Sequence, residues 1–471
     1  MLTATAATIV GITGGEILVG SEDVIGNDIV IDSREATPGC IFVALPGEQA
    51  DGHDFLQSAL EGGARVLLVT RPLEEIVSIA EETERRGTVL IHVDDALCAI
   101  QDLALWHRNR LHATVIGITG STGKTTSKDF ITAVLRTSLR VVSTTGNRNN
   151  ELGMPLTLLS AGSESDVVVL EMGMRGLGQI ARLAEIARPD VGLVTNVGTS
   201  HLEILGTQDA VASAKGELVR SVPAEGAVFL NGDDAYSDAL AMDSAAPVTT
   251  YGLDERCKVR AVDVQLDELS RACFKLVSPE GSAAVSLPVP GRHNVYNALA
   301  AAAVGLHVGV PLDRIVAGLS QARITSMRME TFTTAGGITV VNDSYNANPS
   351  SMRAAIETLA TMQSTGRRIA VLGDMAELGS LSELAHFELG ESFSELPIQV
   401  LVTVGPRAKR IGDGAIAAGL ERDDVYICDT ADEASEVLDD LLESGDIILV
   451  KASRVMGLER VVEGIVTPRA G

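Results

Sequence analysis

The chain has 471 residues, with 37 Lys or Arg against 63 Asp or Glu, a formal charge of −26 at neutral pH. So acidic a chain is a poor general binder of nucleic acid, which asks for a basic face, and no apolar run approaches the ~18 residues needed to cross a bilayer. Its 45% hydrophobic and 21% charged residues are those of a globular protein too long for one ordinary domain.

An anionic ligand must therefore be held by local amides, metal ions or a few cations, since screening confines the global charge to roughly 8 Å. Cys40, Cys98, Cys257, Cys273 and Cys428 are scattered, without a C-x-x-C pair. Their odd count excludes a complete internal disulfide framework, and a cytoplasmic location is expected. Residues 1–20 lack a basic leading region and carry Glu16, so no secretory signal is expected there.

The first block, residues 1–112, has short strand-like runs at 41–45 and 65–70. Turn signals at Thr37-Pro38-Gly39, Leu45-Pro46-Gly47 and Glu61-Gly62-Gly63 punctuate it. Trp106-His107-Arg108-Asn109-Arg110 reads as a helix end leading into a linker.

The second block, residues 113–322, opens on an apolar strand at 113–118. The run Gly117-Ile118-Thr119-Gly120-Ser121-Thr122-Gly123-Lys124-Thr125-Thr126 follows, and then a helical segment at 127–135. Glycines that bare their amides, a lysine for phosphate charge and a threonine hydroxyl for Mg2+ make an anion cradle at a helix start. The order predicts use of a nucleoside triphosphate. It departs from G-x-x-x-x-G-K-[ST], because Ile118 stands at the first glycine and Gly117 lies one residue earlier.

Strands at 167–170, 191–195 and 227–230 alternate with helical stretches such as 179–186, the pattern of a parallel α/β sheet. A β-rich insert is predicted at about 245–290, with strands at 259–264 and 283–287 and no role beyond stabilisation. An alanine-rich helix after Asn294 closes the block. The third block, residues 323–471, has strands at 338–341, 368–372, 398–404 and 447–450, a second doubly wound, Rossmann-like pattern. The fold class is thus α/β in three domains, with a central P-loop parallel-sheet ATPase domain.

Three residues stand out beyond the phosphate loop. Glu171 sits at the C-terminal end of a strand, where a carboxylate can hold Mg2+. His201 lies on a loop at the same strand-end edge, after Thr195-Asn196. Lys215 falls on a helix, where a lysine ordinarily faces solvent.

Together with these, three further sets of runs carry a resemblance. The first block contributes Asp32-Ser33-Arg34, Pro38-Gly39-Cys40-Ile41-Phe42-Val43-Ala44-Leu45 and Asp51-Gly52-His53. The centre contributes Asn149-Asn150-Glu151-Leu152-Gly153, Glu171-Met172-Gly173, His201-Leu202-Glu203, Ala214-Lys215-Gly216-Glu217 and Gly291-Arg292-His293-Asn294-Val295-Tyr296-Asn297. The third block contributes Asn342-Asp343-Ser344-Tyr345-Asn346-Ala347-Asn348-Pro349 and Leu372-Gly373-Asp374-Met375-Ala376-Glu377-Leu378-Gly379. In this order and over essentially the whole chain, they resemble the Mur ligases, the ATP-dependent amide-forming family of peptidoglycan precursor synthesis.

The resemblance implies roles residue by residue. Gly120, Ser121, Thr122, Gly123, Lys124, Thr125 and Thr126 would hold the ATP phosphates, with Thr125 and Glu171 on one Mg2+. His201 and a Lys215 carbamylated by CO2 would hold a second Mg2+, and Lys124, His201 and Lys215 would be catalytic. Asn294 and Asn297 would contact the nucleotide, Asn297 at adenine. Arg328 would reach the phosphates and Asp343 the ribose. Ser33 and Arg34 would sit in the uridine-diphosphate pocket, while Asn149, Asn150, Arg175, Tyr345 and Asn346 would face the joined substrates.

Within the family, the third-block runs fit the member that joins UDP-N-acetylmuramoyl-tripeptide to D-alanyl-D-alanine, and the expected state is a monomer. The ligase that adds diaminopimelate or lysine carries an Asp-Asn-Pro-Arg run, which this chain lacks. Folylpolyglutamate synthetase lacks the Asp-Ser-Arg first domain. A non-catalytic nucleotide switch is the alternative of another class. Two departures from the family pattern are Ala452, where glycine is expected, and Met327-Arg328-Met329 in place of a Gly-Arg pair.

Overall fold

The computed structural model describes residues 2–47, 50–199 and 201–466, so residues 1 and 467–471 at the outer ends of the first and third blocks lie outside it. Three sheets follow one another along the chain. In the first, Ile25–Val30, Cys40–Val43, Val66–Val69 and Val89–His92 run parallel. Thr3–Thr5 and Glu16–Val19 close its edges antiparallel. The period of two divides its side chains cleanly. Ile41, Val43, Val66 and Leu68 share a core with the helix Ala96–Arg108, whereas Phe42 and Leu67 pack on the opposite side with the helix Leu56–Glu61.

The helix Ala96–Arg108 also carries that core into the second sheet, so the first two domains are joined by packing as well as by chain. His107 Nε2 meets the Ala161 carbonyl at 2.7 Å, and Arg108 Nη2 pairs with Asp190 Oδ2 at 2.9 Å.

The second sheet has nine strands. Val141–Ser143, Val167–Glu171, Thr114–Thr119, Val191–Val194, Ala227–Asn231, Val248–Gly252 and Val259–Leu266 lie parallel in that spatial order. Arg271–Ser278 and Gly281–Pro290 follow antiparallel at the edge. The region at 245–290 is therefore not an insert but the far edge of this sheet, and it holds a further long strand that the sequence reading passed over. Its edge meets the third domain: Gln363 N–H donates to Glu268 O at 2.8 Å, and Ser270 Oγ to Thr358 O at 3.3 Å.

The strand order reverses at Thr114–Thr119, whose neighbours Val167–Glu171 and Val191–Val194 come from opposite winding directions. At such a reversal the strand ends leave a crevice, the usual ligand site of an open parallel sheet. The helix after the loop, Lys124–Leu135, begins three residues earlier than the sequence suggested, because Gly123 (φ +77°) supplies its start.

The third sheet runs Glu330–Thr333, Thr339–Asn342, Ile447–Lys451, Arg368–Gly373, Val400–Val404, Val425–Cys428, parallel but for the first. The connection into it is tied to the phosphate-loop helix, where Asp129 Oδ2 accepts the Thr325 N–H at 2.8 Å. Ala452 is fully buried, and a Cβ added at Gly373 would lie 2.6 Å from its methyl. The methyl at 452 thus occupies the room left by the glycine at 373.

Candidate active site

A cavity of about 740 Å3 lies between the second and third sheets. On one side the loop follows Thr114–Thr119, and the neighbouring strand end braces it. Asn196 accepts the Ser121 N–H on its carbonyl at 3.1 Å and the Thr122 N–H on Oδ1 at 3.0 Å. Thr195 Oγ1 donates to Thr122 O at 2.6 Å. Two loop amides are thus consumed internally, and those of residues 123–126, the first turn of the helix, remain the open donors. Gly120 lies behind the cavity wall, where a Cβ would collide with Thr195 Oγ1 at 1.8 Å. Ser121, Thr122, Gly123, Lys124, Thr125 and Thr126 line the cavity.

Lys124 Nζ folds back to Gly120 O at 2.6 Å. Burial pushes its pKa down, with the Glu171 carboxylate opposing. Glu171, 3% exposed, accepts from Thr125 Oγ1 at 2.9 Å on one oxygen and from Asn149 Nδ2 at 2.8 Å on the other. Asn149 is therefore a holder of Glu171 as well as a lining residue. Asn150 lines the cavity too, with Oδ1 receiving the Gly153 N–H at 2.8 Å.

Lys215 is 1% exposed, on the helix Gln208–Ser221, and does not itself line the cavity. Burial drives its pKa well down, and the nearby Lys124 charge adds to this. Among the described residues no carboxylate opposes that shift. Two residues on, Glu217 caps the helix Gln179–Ala187 through the Gly178 and Ala181 N–H groups at 2.7 and 2.9 Å. That helix and the turn before it present Arg175, Gln179 and Arg182 to the cavity.

The far end of the cavity is formed by Asn231, Tyr251, Val289, His293, Asn294 and Asn297. Asn297 is a brace: its Oδ1 accepts from Ser127 Oγ at 3.0 Å, and its Nδ2 donates to Asn294 Oδ1 at 2.8 Å. Burial lowers the His293 pKa.

The third domain supplies the opposite wall. Arg328 stacks 4.2 Å over the Tyr345 ring, so Tyr345 meets the guanidinium, and Arg328 Nε is buried without a partner among the described residues. Asp343 Oδ2 pairs with Lys451 Nζ at 2.6 Å, and Lys451 also donates to Asn346 O at 2.9 Å. Met327 and Met329 have φ of +60° and +53°. The chain keeps, at both flanks of Arg328, the left-handed backbone that a glycine would adopt without strain. His201, φ +61°, places Nδ1 2.9 Å from Glu377 Oε2 but outside hydrogen-bond alignment. The His201 ring, and then Arg175 and Lys124, hold the Glu377 carboxyl below its usual range.

Ser33 and Arg34 are not brought to this cavity. They form a 3-10 turn on the first domain, where the 87% exposed Arg34 side chain is clamped by Asp32 at 2.6 Å. The residues missed in the sequence are Asn196, Arg182, His293, Glu377 and Lys451. Lys451 could have been found, for it ends a buried strand as Glu171 does. Among the described residues no group of three or more His, Cys, Asp or Glu is placed to hold a metal, and no helix is long and apolar enough to cross a membrane.

Three family models match the chain: "Mur ligase family, catalytic domain" over residues 27–108, "Mur ligase middle domain" over 118–305 and "Mur ligase, glutamate ligase domain" over 327–454. The UDP-N-acetylmuramoyl-tripeptide–D-alanyl-D-alanine ligase of Mycobacterium tuberculosis is 39% identical over 99% of this chain and 98% of its own length. A crystal structure of MurF from Acinetobacter baumannii superposes with a TM-score of 0.86, at 30% identity and 99% coverage of both chains. MurF from Thermotoga maritima in complex with ADP gives a TM-score of 0.78, at 28% identity over 93% of this chain and 96% of that one.

Proposed function

The chain belongs to the Mur ligase family, and from that membership we infer that it joins D-alanyl-D-alanine to a UDP-N-acetylmuramoyl-tripeptide at the expense of ATP. The observation that carries this reading is the meeting, across one cavity, of the phosphate loop and Arg328 of the facing domain, whose Nε has no partner among the described residues. A buried guanidinium nitrogen without an acceptor is costly, and a phosphate oxygen is the acceptor it suits.

A carboxylate is a poor acylating agent at neutral pH and must first be activated. The γ-phosphoryl of ATP passes to the terminal carboxylate of the tripeptide, giving an acyl phosphate and ADP. The dipeptide amine then attacks, and phosphate leaves from the tetrahedral intermediate. The open amides of residues 123–126 and Lys124 hold the phosphates, Arg328 stabilises the equatorial charge, and Asp343 takes the ribose. Asn294 and Asn297 border the base. Closure of the two walls keeps water from the acyl phosphate. Arg175, Asn150, Tyr345 and Asn346 border the joined ends of the substrates, and Ser33 with Arg34 takes the uridine diphosphate on the first domain.

Mg2+ fits the Thr125–Glu171 pair, whose oxygens lie 2.9 Å apart. The ion supplies charge neutralisation between two anionic reactants. A second ion would fall to His201 and Lys215. Lys215 suits carbamylation because burial favours its neutral amine, the form that adds CO2, and the resulting anion would lie near the Lys124 charge. We place the reaction in the cytoplasm, whose reducing conditions suit five free cysteines.

Phosphate release assayed with each substrate omitted tests the reaction. Release that requires both UDP-tripeptide and dipeptide is expected, whereas basal hydrolysis indifferent to both points to a nucleotide switch. For the carbamate, Lys215→Ala is expected to lose about 10^2-fold or more in turnover. Full activity in that variant, independent of bicarbonate, contradicts it.

A further inference from the structure

The wall of the cavity is rich in cations: Lys124, Arg175, Arg182, Arg328 and Lys451 all line it. They suit phosphates and carboxylates, yet one reactant in the proposed ligation arrives as an ammonium. Four acids line the cavity. Glu171 has both oxygens engaged by Thr125 and Asn149, and Asp343 is engaged by Lys451 and by the Met329 N–H. Glu151 is an exposed residue on the loop before the helix Gly153–Leu159. Glu377 remains, facing His201 with one oxygen while no described residue bonds the other.

The backbone that presents Glu377 is fixed from several sides. Met375 N–H donates to His386 Nε2 at 2.9 Å, and Ala376 N–H to Ser453 Oγ at 2.8 Å. Asp374 Oδ1 takes the Arg407 and Ala408 N–H groups at 3.0 and 2.7 Å. Gly379 (φ +52°) approaches the central domain so closely that a Cβ there would lie 2.9 Å from Glu203 Cγ. Glu377 itself is held at φ +61°, a left-handed conformation that a glutamate adopts at a cost. A pinned, strained loop that offers one uncommitted carboxylate to a cationic cavity is a built feature.

We propose that Glu377 is the anchor for the ammonium group of the incoming amine, its free oxygen accepting an N–H while the other faces His201. The assignment rests on the ligase reading above and adds the residue that selects and orients the nucleophile. An amine placed there faces the acyl phosphate from the third-domain side, opposite the phosphate loop. The bound ammonium first gives up one proton to solvent; the neutral nitrogen then attacks with its freed lone pair, the C–N bond forms, the C–O bond to phosphate breaks, and the second proton lost by nitrogen leaves with the phosphate.

The test compares wild type with Glu377→Gln and Glu377→Asp, using two nucleophiles: D-alanyl-D-alanine, and hydroxylamine, which is largely uncharged at neutral pH. Ligation by the wild type first decides the ligase reading independently of Glu377. In Glu377→Gln, the KM for D-alanyl-D-alanine is expected to rise roughly 10- to 100-fold. The KM for ATP and for UDP-tripeptide should stay within about twofold, as should hydroxamate formation, and Glu377→Asp should recover part of the loss. An unchanged KM for the dipeptide overturns the proposal. So does an equal loss with hydroxylamine, which would assign Glu377 to holding His201 or to domain closure alone.

Discussion

The two walls of the cavity are held in different ways. The central wall is tied into its own sheet: Asn196 and Thr195 lock the loop, Asn149 and Thr125 lock Glu171, and Asn297 locks the start of the loop helix. Every one of these bonds joins residues of one domain. The third-domain wall instead depends on the ion pair Asp343–Lys451, a stacked Arg328 and three non-glycine residues at positive φ, Met327, Met329 and Glu377. The lesson is that the nucleotide side is formed in advance, while the side that receives the nucleophile is held by strain and by charge.

Lys124→Ala should have the largest consequence, a loss of turnover of about 10^3-fold or more, because it removes the one loop cation from a pre-formed wall. Circular dichroism and thermal unfolding should stay near wild type. A large fall in stability would mean that this wall is not self-supporting.

Asp343→Asn breaks the opposite wall. The Lys451 side chain is 3% and the Asp343 side chain 14% exposed, so the change strands a buried cation. Denaturant unfolding should show a destabilisation of about 3 kcal/mol, carried by the third domain, with a raised KM for ATP. Equal unfolding curves would remove charge from the account of that wall.

Met327→Gly sharpens the contrast from the side of strain. Relief of left-handed backbone gives about 1–2 kcal/mol, offset in part by the unfolded-state entropy of glycine, so a net gain of roughly 0.5 kcal/mol is expected. A loss of stability would show that the Met327 side chain, against Arg454 Nη1 at 3.3 Å, matters more than its backbone.

The smallest effect belongs to the base of the central sheet. Hydrogen bonds from Arg140, first through its side chain, hold the Asp166 carboxyl down to about 2 from 3.8. A depressed carboxylate stabilises above its unfolded pKa, and that contribution fades as pH falls from about 4 through about 2. Asp166→Asn should therefore be slightly less stable than wild type at neutral pH and show a slightly flatter loss of stability on acid titration in that window, the two proteins converging at its acid end.

Much of the central wall was legible in the sequence. Gly117 to Thr126, Glu171 and His201 are residue types that their chemistry demands, placed at strand ends that periodicity can locate. Asn196 was seen only as a strand end, because its role depends on Val191–Val194 lying beside Thr114–Thr119, and neighbourhood in a sheet is not written in a period of two. The same blindness made the strands at 248–290 look like an insert. Lys215 illustrates the reverse. Local pattern sent it to solvent, only the family resemblance made it a candidate, and its burial is a tertiary fact. On the third-domain wall the two methionines departed from an expected glycine, and the backbone kept the glycine conformation nevertheless. Glu377 had no signal beyond membership in a run, since its importance comes from which other acids are already engaged.

The central claim is that ATP is used to activate a carboxylate. Ligation with a tripeptide substrate whose terminal carboxylate carries 18O tests it most directly, by mass spectrometry of the released phosphate. The account expects ADP together with phosphate that bears one labelled oxygen for each amide formed. Unlabelled phosphate, or AMP in place of ADP, would contradict it.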